Sequence, residues 1–272
     1  MQKLLLKELL RFSRDHGTNM YVCFLHASKA FDRVDYTVLF RKLMTRDVPV
    51  HILRLLWNWY AHHFARILWA GVISDSFAIC NGVRQGNILS PFYLESILMS
   101  CRHSCSPNTG CRMSNIIVNH LLFADDAVIF APSSKGLQQL LDICSEFAAT
   151  HNVVFNVKKS QCLIVASKNN VITRPNFQLC GAGLPYADSY TYLGHIISSD
   201  QSDNVDIMCQ TRCLYAKANT IIRKFNCASL NTKLMLFRAY RMPFVAVSCG
   251  AQCHNMLTTN CVLRIMMVLD NF

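Results

Sequence analysis

The chain has 272 residues, enough to bury a real core in one large domain or two small ones. Its 27 Lys plus Arg against 16 Asp plus Glu give a formal charge of +11, which suits a polyanionic partner such as nucleic acid, although a basic surface alone would give the same sum. With 52% hydrophobic and only 16% charged residues, it should either enter a membrane or cover surface with partners, and no apolar run is long enough to span a bilayer.

Residues 1–15, MQKLLLKELLRFSRD, alternate charge with leucine at helical spacing and lack a small-residue cleavage site, so they predict an amphipathic helix and not a signal peptide. MYVCFL (20–25) predicts a buried strand. Residues 34–48 and 50–70 predict helices, the second rich in Trp57, Trp59, Tyr60 and Phe64. NGVRQGNILSP is a turn-rich loop, with Ser90 and Pro91 opening a further helix, FYLESILMS.

IIVNHLLFADDAVIF (116–130) predicts a β-hairpin whose tip carries Asp125 and Asp126. Ser133 or Ser134 then caps a helix with Leu137, Leu140, Leu141 and Cys144 on one face. VVFNVKKSQCLIVAS and YTYLGHII predict strands, SSDQSDN (198–204) a linker, and residues 205–240 helix again. Strands and helices mix without strict alternation, the pattern of an α+β fold.

Fourteen cysteines form no CxxC pair. Three CxxxC pairs (Cys101/Cys105, Cys209/Cys213, Cys249/Cys253), with His103 or His254 nearby, allow a zinc reading, but helical spacing produces such pairs by chance. Reduced thiols are expected, and with them an intracellular setting, cytoplasm or nucleus.

Two adjacent carboxylates at the tip of an apolar hairpin repel each other and are costly to desolvate. A divalent cation removes that cost, and Mg²⁺ is held by one or two carboxylates plus substrate phosphates. A plain Asp-Asp turn is the alternative.

FLHASKAFDRV (24–34), GVRQGNILSP (82–91), FADDAVIF (123–130), FNVKKS (155–160) and YLGHII (192–197) follow one another in this order. Together they resemble the successive palm motifs of non-LTR retrotransposon reverse transcriptases, over about residues 15–240. The resemblance implies a right-hand polymerase palm, an antiparallel sheet with packed helices, with incomplete fingers and a partial thumb. It implies a division into residues 1–200, palm with residual fingers, and 201–272, partial thumb or connection helices. The implied partners are an RNA template, a DNA primer and deoxynucleotides, and further domains of a parent polyprotein.

By the same resemblance Asp125 and Asp126 match the third motif's metal-binding acids, for a two-Mg²⁺ site. Ala30 and Phe31 match positions beside the incoming nucleotide, where a ring at 31 would clash with a 2′-OH. Gln85 and Gly86 match its other contacts, and Lys159 matches a lysine near the triphosphate, with Lys158 a rival for that part. YLGHII matches the hairpin that grips the primer, and Arg212, Lys217, Arg223 and Lys224 the start of a phosphate-contacting thumb.

The first motif departs from the family at its centre: His26 stands where an aspartate is needed. Imidazole is a poor Mg²⁺ ligand, better suited to zinc, copper or iron. Impaired catalysis is therefore expected, with a catalytically dead nucleic-acid-binding remnant as the alternative. Asp32 also occurs in the intact motif, beside the missing acid, and reads as a structural residue of the turn. The chain begins almost at the first palm motif, so it reads as a piece of a larger polypeptide.

Overall fold

The computed structural model describes residues 2–28, 31–83, 109–113, 116–123, 126–151, 153–167 and 174–245. The loop and helix expected over residues 84–108 and the segment from 246 onward lie outside them. The chain divides into two compact units. One takes in residues 18–164 and 169–187; the other takes in 1–17, 165–168 and the chain from 188.

The first unit is built on a four-stranded sheet whose strands lie side by side in the order β10 (Gln161–Val165), β1 (Met20–His26), β9 (Asp126–Ala131) and β8 (His120–Phe123). Strands β1 and β9 run antiparallel, from Tyr21 opposite Ala131 to His26 opposite Asp126. Both are apolar on both faces: Met20 to Leu25 and Ala127 to Ala131 are all buried. The polar residues come only at one end, where the sheet stops being core.

Helix α4 (Ser134–His151) covers one face of this sheet. Its Leu137, Leu140, Leu141, Cys144 and Ala148 recur at helical spacing and meet Cys23, Leu25, Ala127 and Ile129. Each of the leucines, fully buried, contributes roughly 1.5–3 kcal/mol. The cap is Ser133, whose hydroxyl accepts the Gly136 N–H at 3.1 Å.

Helices α2 (Tyr36–Met44) and α3 (Val50–Ala61) share a separate cluster: Leu39, Phe40, Leu43, Leu53, Leu56 and Tyr60, with Val34 and Val83. Asp35 starts α2 by accepting the N–H groups of Thr37 (2.7 Å) and Val38 (3.3 Å). Asp35→Ala strips both acceptors, and a loss of about 1 kcal/mol in urea unfolding is the expected result.

The helix expected over 50–70 stops at Ala61. Residues 64–78 instead form a two-stranded ribbon: β2 (Phe64–Ala65) pairs with β5 (Phe77–Ala78), and β3 (Leu68–Trp69) with β4 (Val72–Ile73). Ala70 (φ 48°) and Gly71 (φ 83°) make the two-residue turn. Aromatic and β-branched residues around such a turn favour a hairpin over a helix. The same device recurs at Leu193–Gly194, between β13 (Ser189–Tyr192) and β14 (His195–Ser198). The chain's apolar surplus collects here: Leu55, Trp57, Trp59, Leu68, Trp69, Val72 and Ile73 are all exposed. Among the described residues no helix is long and apolar enough to cross a membrane.

The second unit contains α1 (Gln2–Asp15), the β13–β14 hairpin, α5 (Asn204–Lys224) and α6 (Leu230–Val245). Leu6, Leu9 and Leu10 of α1 are buried at helical spacing. Ala218 and Ile221 of α5 pack on Phe237 of α6. The helical reading of 205–240 corresponds to these two helices, separated at residues 225–229. The segment expected to be a linker is tied down: Gln201 donates to Leu10 O at 2.8 Å, and Asp203 meets Lys7 and Arg11, each at 2.8 Å.

Candidate active site

The polar end of the sheet brings three sequence motifs together. His26, the last residue of β1, lies directly across from Asp126, the first residue of β9. The imidazole Nδ1 stands 3.6 Å from the Asp126 Oδ1, and the two side chains are 26% and 38% exposed. Asp126 also faces Phe123 across the β8–β9 pair, so that Ala124 and Asp125 are the two residues joining those strands. Asp125 itself, like Ala30, Gln85 and Gly86, falls outside the described residues.

The third contributor is the FNVKKS segment. The sequence predicts strand through 153–167, yet only Phe155 bridges, to Ala27, before the chain turns. Asn156 makes that turn, accepting the Lys159 N–H on its side chain (3.2 Å) and its carbonyl (3.0 Å). The turn is fastened to His26 on both sides. The Asn156 N–H donates to the His26 carbonyl at 2.8 Å, and the His26 N–H donates to the Ser160 hydroxyl at 3.2 Å. Ser160 is fully buried and donates onward to the Asn156 carbonyl at 2.9 Å.

His26 is thus held by its backbone while its ring remains partly open to solvent. Lys158 and Lys159 project from the same turn and are exposed. Sequence reasoning singled out the lysines and missed Asn156 and Ser160, although both lie inside the motif. The signal was there: Asn is a turn former, and a Ser next to an apolar strand needs a partner once buried.

Phe31 is half-buried against the α2–α3 cluster, and its carbonyl accepts the Val83 N–H at 2.7 Å. Residues 31–34 and 82–83 therefore run side by side, leading the chain toward the RQG segment. The close approach needs glycine at 82. Its φ is +85°, and a Cβ there would stand 3.0 Å from the Asp32 carbonyl oxygen. Asp32 is exposed in the turn after Phe31.

In the second unit, YLGHII is the β13–β14 hairpin, and His195 points inward. It is buried, with Nδ1 donating to Asp206 at 3.0 Å and Nε2 beside the Lys3 ammonium. Asp206 is buried too, and takes the Ile196 N–H at 3.0 Å and the Lys7 ammonium at 2.9 Å. Burial alone would push the Asp206 carboxyl up. The bonds from His195, Ile196 and Lys7 outweigh it and hold the group well below the usual carboxylate range. This network belongs to the fold, and nothing in the motif foretold its partners on α1 and α5. Among the basic residues of α5, Arg212, Arg223 and Lys224 are exposed.

The family described as reverse transcriptase (RNA-dependent DNA polymerase) matches residues 2–197. A retrovirus-related Pol polyprotein from the type-2 retrotransposable element R2DM of Drosophila melanogaster is 28% identical over 195 residues, which are 68% of this chain and 18% of that protein. A corresponding polyprotein from the type-1 retrotransposable element R2 of Nasonia vitripennis is 25% identical over 203 residues, 72% of this chain and 20% of its own length. The transposon TX1 uncharacterized 149 kDa protein of Xenopus laevis is 27% identical over 182 residues, 64% of this chain and 14% of that protein. The chain spans about a fifth of the length of the first two.

Proposed function

This chain belongs to the reverse transcriptase (RNA-dependent DNA polymerase) family, of the non-LTR retrotransposon kind, and from that premise we propose that it is a polymerase palm whose nucleotidyl-transfer site is impaired at His26. The observation that carries the reading is the register of β1 on β9, which sets the first-motif position opposite the third-motif acid. In this reading residues 1–200 are the palm with residual fingers, and 201–272 a partial thumb whose exposed Arg212, Arg223 and Lys224 meet backbone phosphates.

The proposed reaction is RNA-templated DNA synthesis from a DNA primer and deoxynucleotides. The magnesium ions that the family implies would neutralise charge developing on the transferred phosphate. Asp126, and Asp125 beside it in sequence, supply the hard oxygen donors such ions need. His26 does not fit, because its nitrogen replaces one of those oxygens at the centre of the pair. The other side chains keep tasks of their own. Phe31 backs the sugar of the incoming nucleotide, with Ala30, Gln85 and Gly86 around it, and Lys159 or Lys158 approaches the triphosphate. The sugar-backing ring disfavours a 2′-OH by steric contact alone.

The nitrogen at position 26 also favours a second reading, a nucleic-acid-binding remnant that keeps the fold without the chemistry. The two readings share one requirement, affinity for a primer–template. A fluorescence-anisotropy titration with an RNA–DNA primer–template is expected to give binding that weakens steeply with salt, the slope on a log–log plot counting the phosphates neutralised. Binding that is absent or indifferent to salt removes both readings. We further propose an intracellular setting and covalent neighbours from a longer polyprotein.

A further inference from the structure

We propose that the ribbon of residues 64–78 and the exposed side of α3 form a self-association surface, through which two copies of this chain pair about a two-fold axis. The inference is independent of the polymerase reading, and three observations carry it.

The first is that the ribbon is apolar and open on both faces. Trp69 lies opposite Val72 and Leu68 opposite Ile73, so these neighbouring pairs point to opposite faces. Every residue from 64 to 78 except Ala65 is exposed. Strands that are apolar on both faces are ordinarily covered on both sides. A lone two-stranded ribbon is marginal in water, and packing against a further surface is what stabilises one.

The second is area. Trp57, Trp59, Phe64 and Trp69 are each more than half exposed. At roughly 150–250 Å² per buried ring, their open parts offer about 500 Å². Leu55, Ile67, Leu68, Val72 and Ile73, also exposed, bring the surface to the order of 1,000 Å². The largest apolar patch of an ordinary monomer is about 300–600 Å², and a stable dimer takes about 800 Å² from each partner.

The third is charge. Over residues 50–80 the charged side chains are Arg54, Arg66 and Asp75, a sum of +1 with histidine counted neutral, in a chain that carries +11. A polyanion is held by many cations, and this surface has few. Two like-charged copies repel least where they are nearly neutral, and there apolar contact can form. A second copy brings the same near-neutral apolar surface, self-complementary as a two-fold contact requires. In that contact the ribbon of each copy lies against the ribbon and α3 of the other.

Sedimentation equilibrium of the whole chain, freed of nucleic acid by nuclease and a high-salt wash, tests the proposal. A concentration-dependent species of twice the 30.9 kDa chain mass is expected. Apolar burial drives the association and salt screens the overall repulsion, so it should hold or strengthen from about 0.15 to 1 M NaCl. Trp69→Lys places a cation from each copy in the contact and should weaken the dimer about thirtyfold or more. Leu68→Lys, on the opposite face of the ribbon, should weaken it as well, whereas Met235→Lys, at an exposed site on α6, should not. Neither ribbon side chain belongs to the buried core, so circular dichroism should stay unchanged in both variants. A chain that remains monomeric up to about 100 μM overturns the proposal. So does a dimer equally strong in both ribbon variants, or one that dissolves as salt rises. Occupation of the ribbon by single-stranded RNA would overturn it too, read as salt-sensitive quenching of tryptophan fluorescence by an oligonucleotide that Trp69→Lys abolishes.

Discussion

Replacing His26 with aspartate is expected to raise magnesium-dependent primer extension by about 10²–10⁴-fold, equivalent to roughly 3–5 kcal/mol of transition-state stabilisation. The position is the last residue of β1, opposite Asp126, with its backbone fixed by Asn156 and Ser160. Aspartate has a shorter side chain than histidine and introduces no steric conflict at a partly exposed strand end. The oxygen donor it supplies meets Asp126 from the facing strand, and the nitrogen donor that excludes magnesium is gone. Extension of a DNA primer on an RNA template, followed on a sequencing gel in Mg²⁺, measures the gain. Vigorous extension by the unsubstituted chain would refute impairment at His26. No gain after the substitution would trace the inactivity to other parts of the molecule, and Asp125→Ala in the His26→Asp background would then change nothing.

The central sheet was legible because its signal is local. MYVCFL and AVIFA are continuous apolar runs, and α4 repeats leucine at helical spacing, so period and burial agree with the structure. The convergence of His26 and Asp126 was implied by the family resemblance of their motifs and is expressed as one register pair. What failed were the places where a turn overrides composition. Trp69-Ala70-Gly71-Val72 reads as the end of an apolar helix until the positive φ at residues 70 and 71 is recognised as a hairpin turn. Asn156 likewise stops a strand that its neighbours would extend. The Asp206 network could not be read at all, because Lys3 and Lys7 lie about 200 residues from the groups they pair with, and periodicity carries no information over that range. The one available hint was an acidic residue in the first turn of α5, where it usually faces solvent and here is buried.

That buried carboxylate carries a large expected effect on stability. Asp206 accepts from His195, from the Ile196 backbone and from Lys7, and it anchors elements from three parts of the sequence. Truncating it to alanine leaves the His195 ring and the Ile196 N–H without their acceptor in a setting largely closed to water, and leaves the Lys7 ammonium with Asp203 alone. Removing one partner of a buried pair costs about 3–5 kcal/mol, against a total stability of about 5–15 kcal/mol for a domain. Urea unfolding of Asp206→Ala should show that loss, and Asp206→Asn a smaller one, because the amide oxygen can still accept one of the three bonds.

The pH dependence has a definite sign. Asp206 is depressed in the folded state, so its contribution is present above the unfolded carboxylate value of 3.8 and is lost as pH falls below it toward the folded value. The unsubstituted chain should therefore lose stability below about pH 4 more steeply than Asp206→Asn does. Parallel acid-unfolding curves for the two would show that the carboxylate is not the anchor. If they diverge as expected, the YLGHII hairpin keeps its shape through a charge that the strand motif itself does not contain.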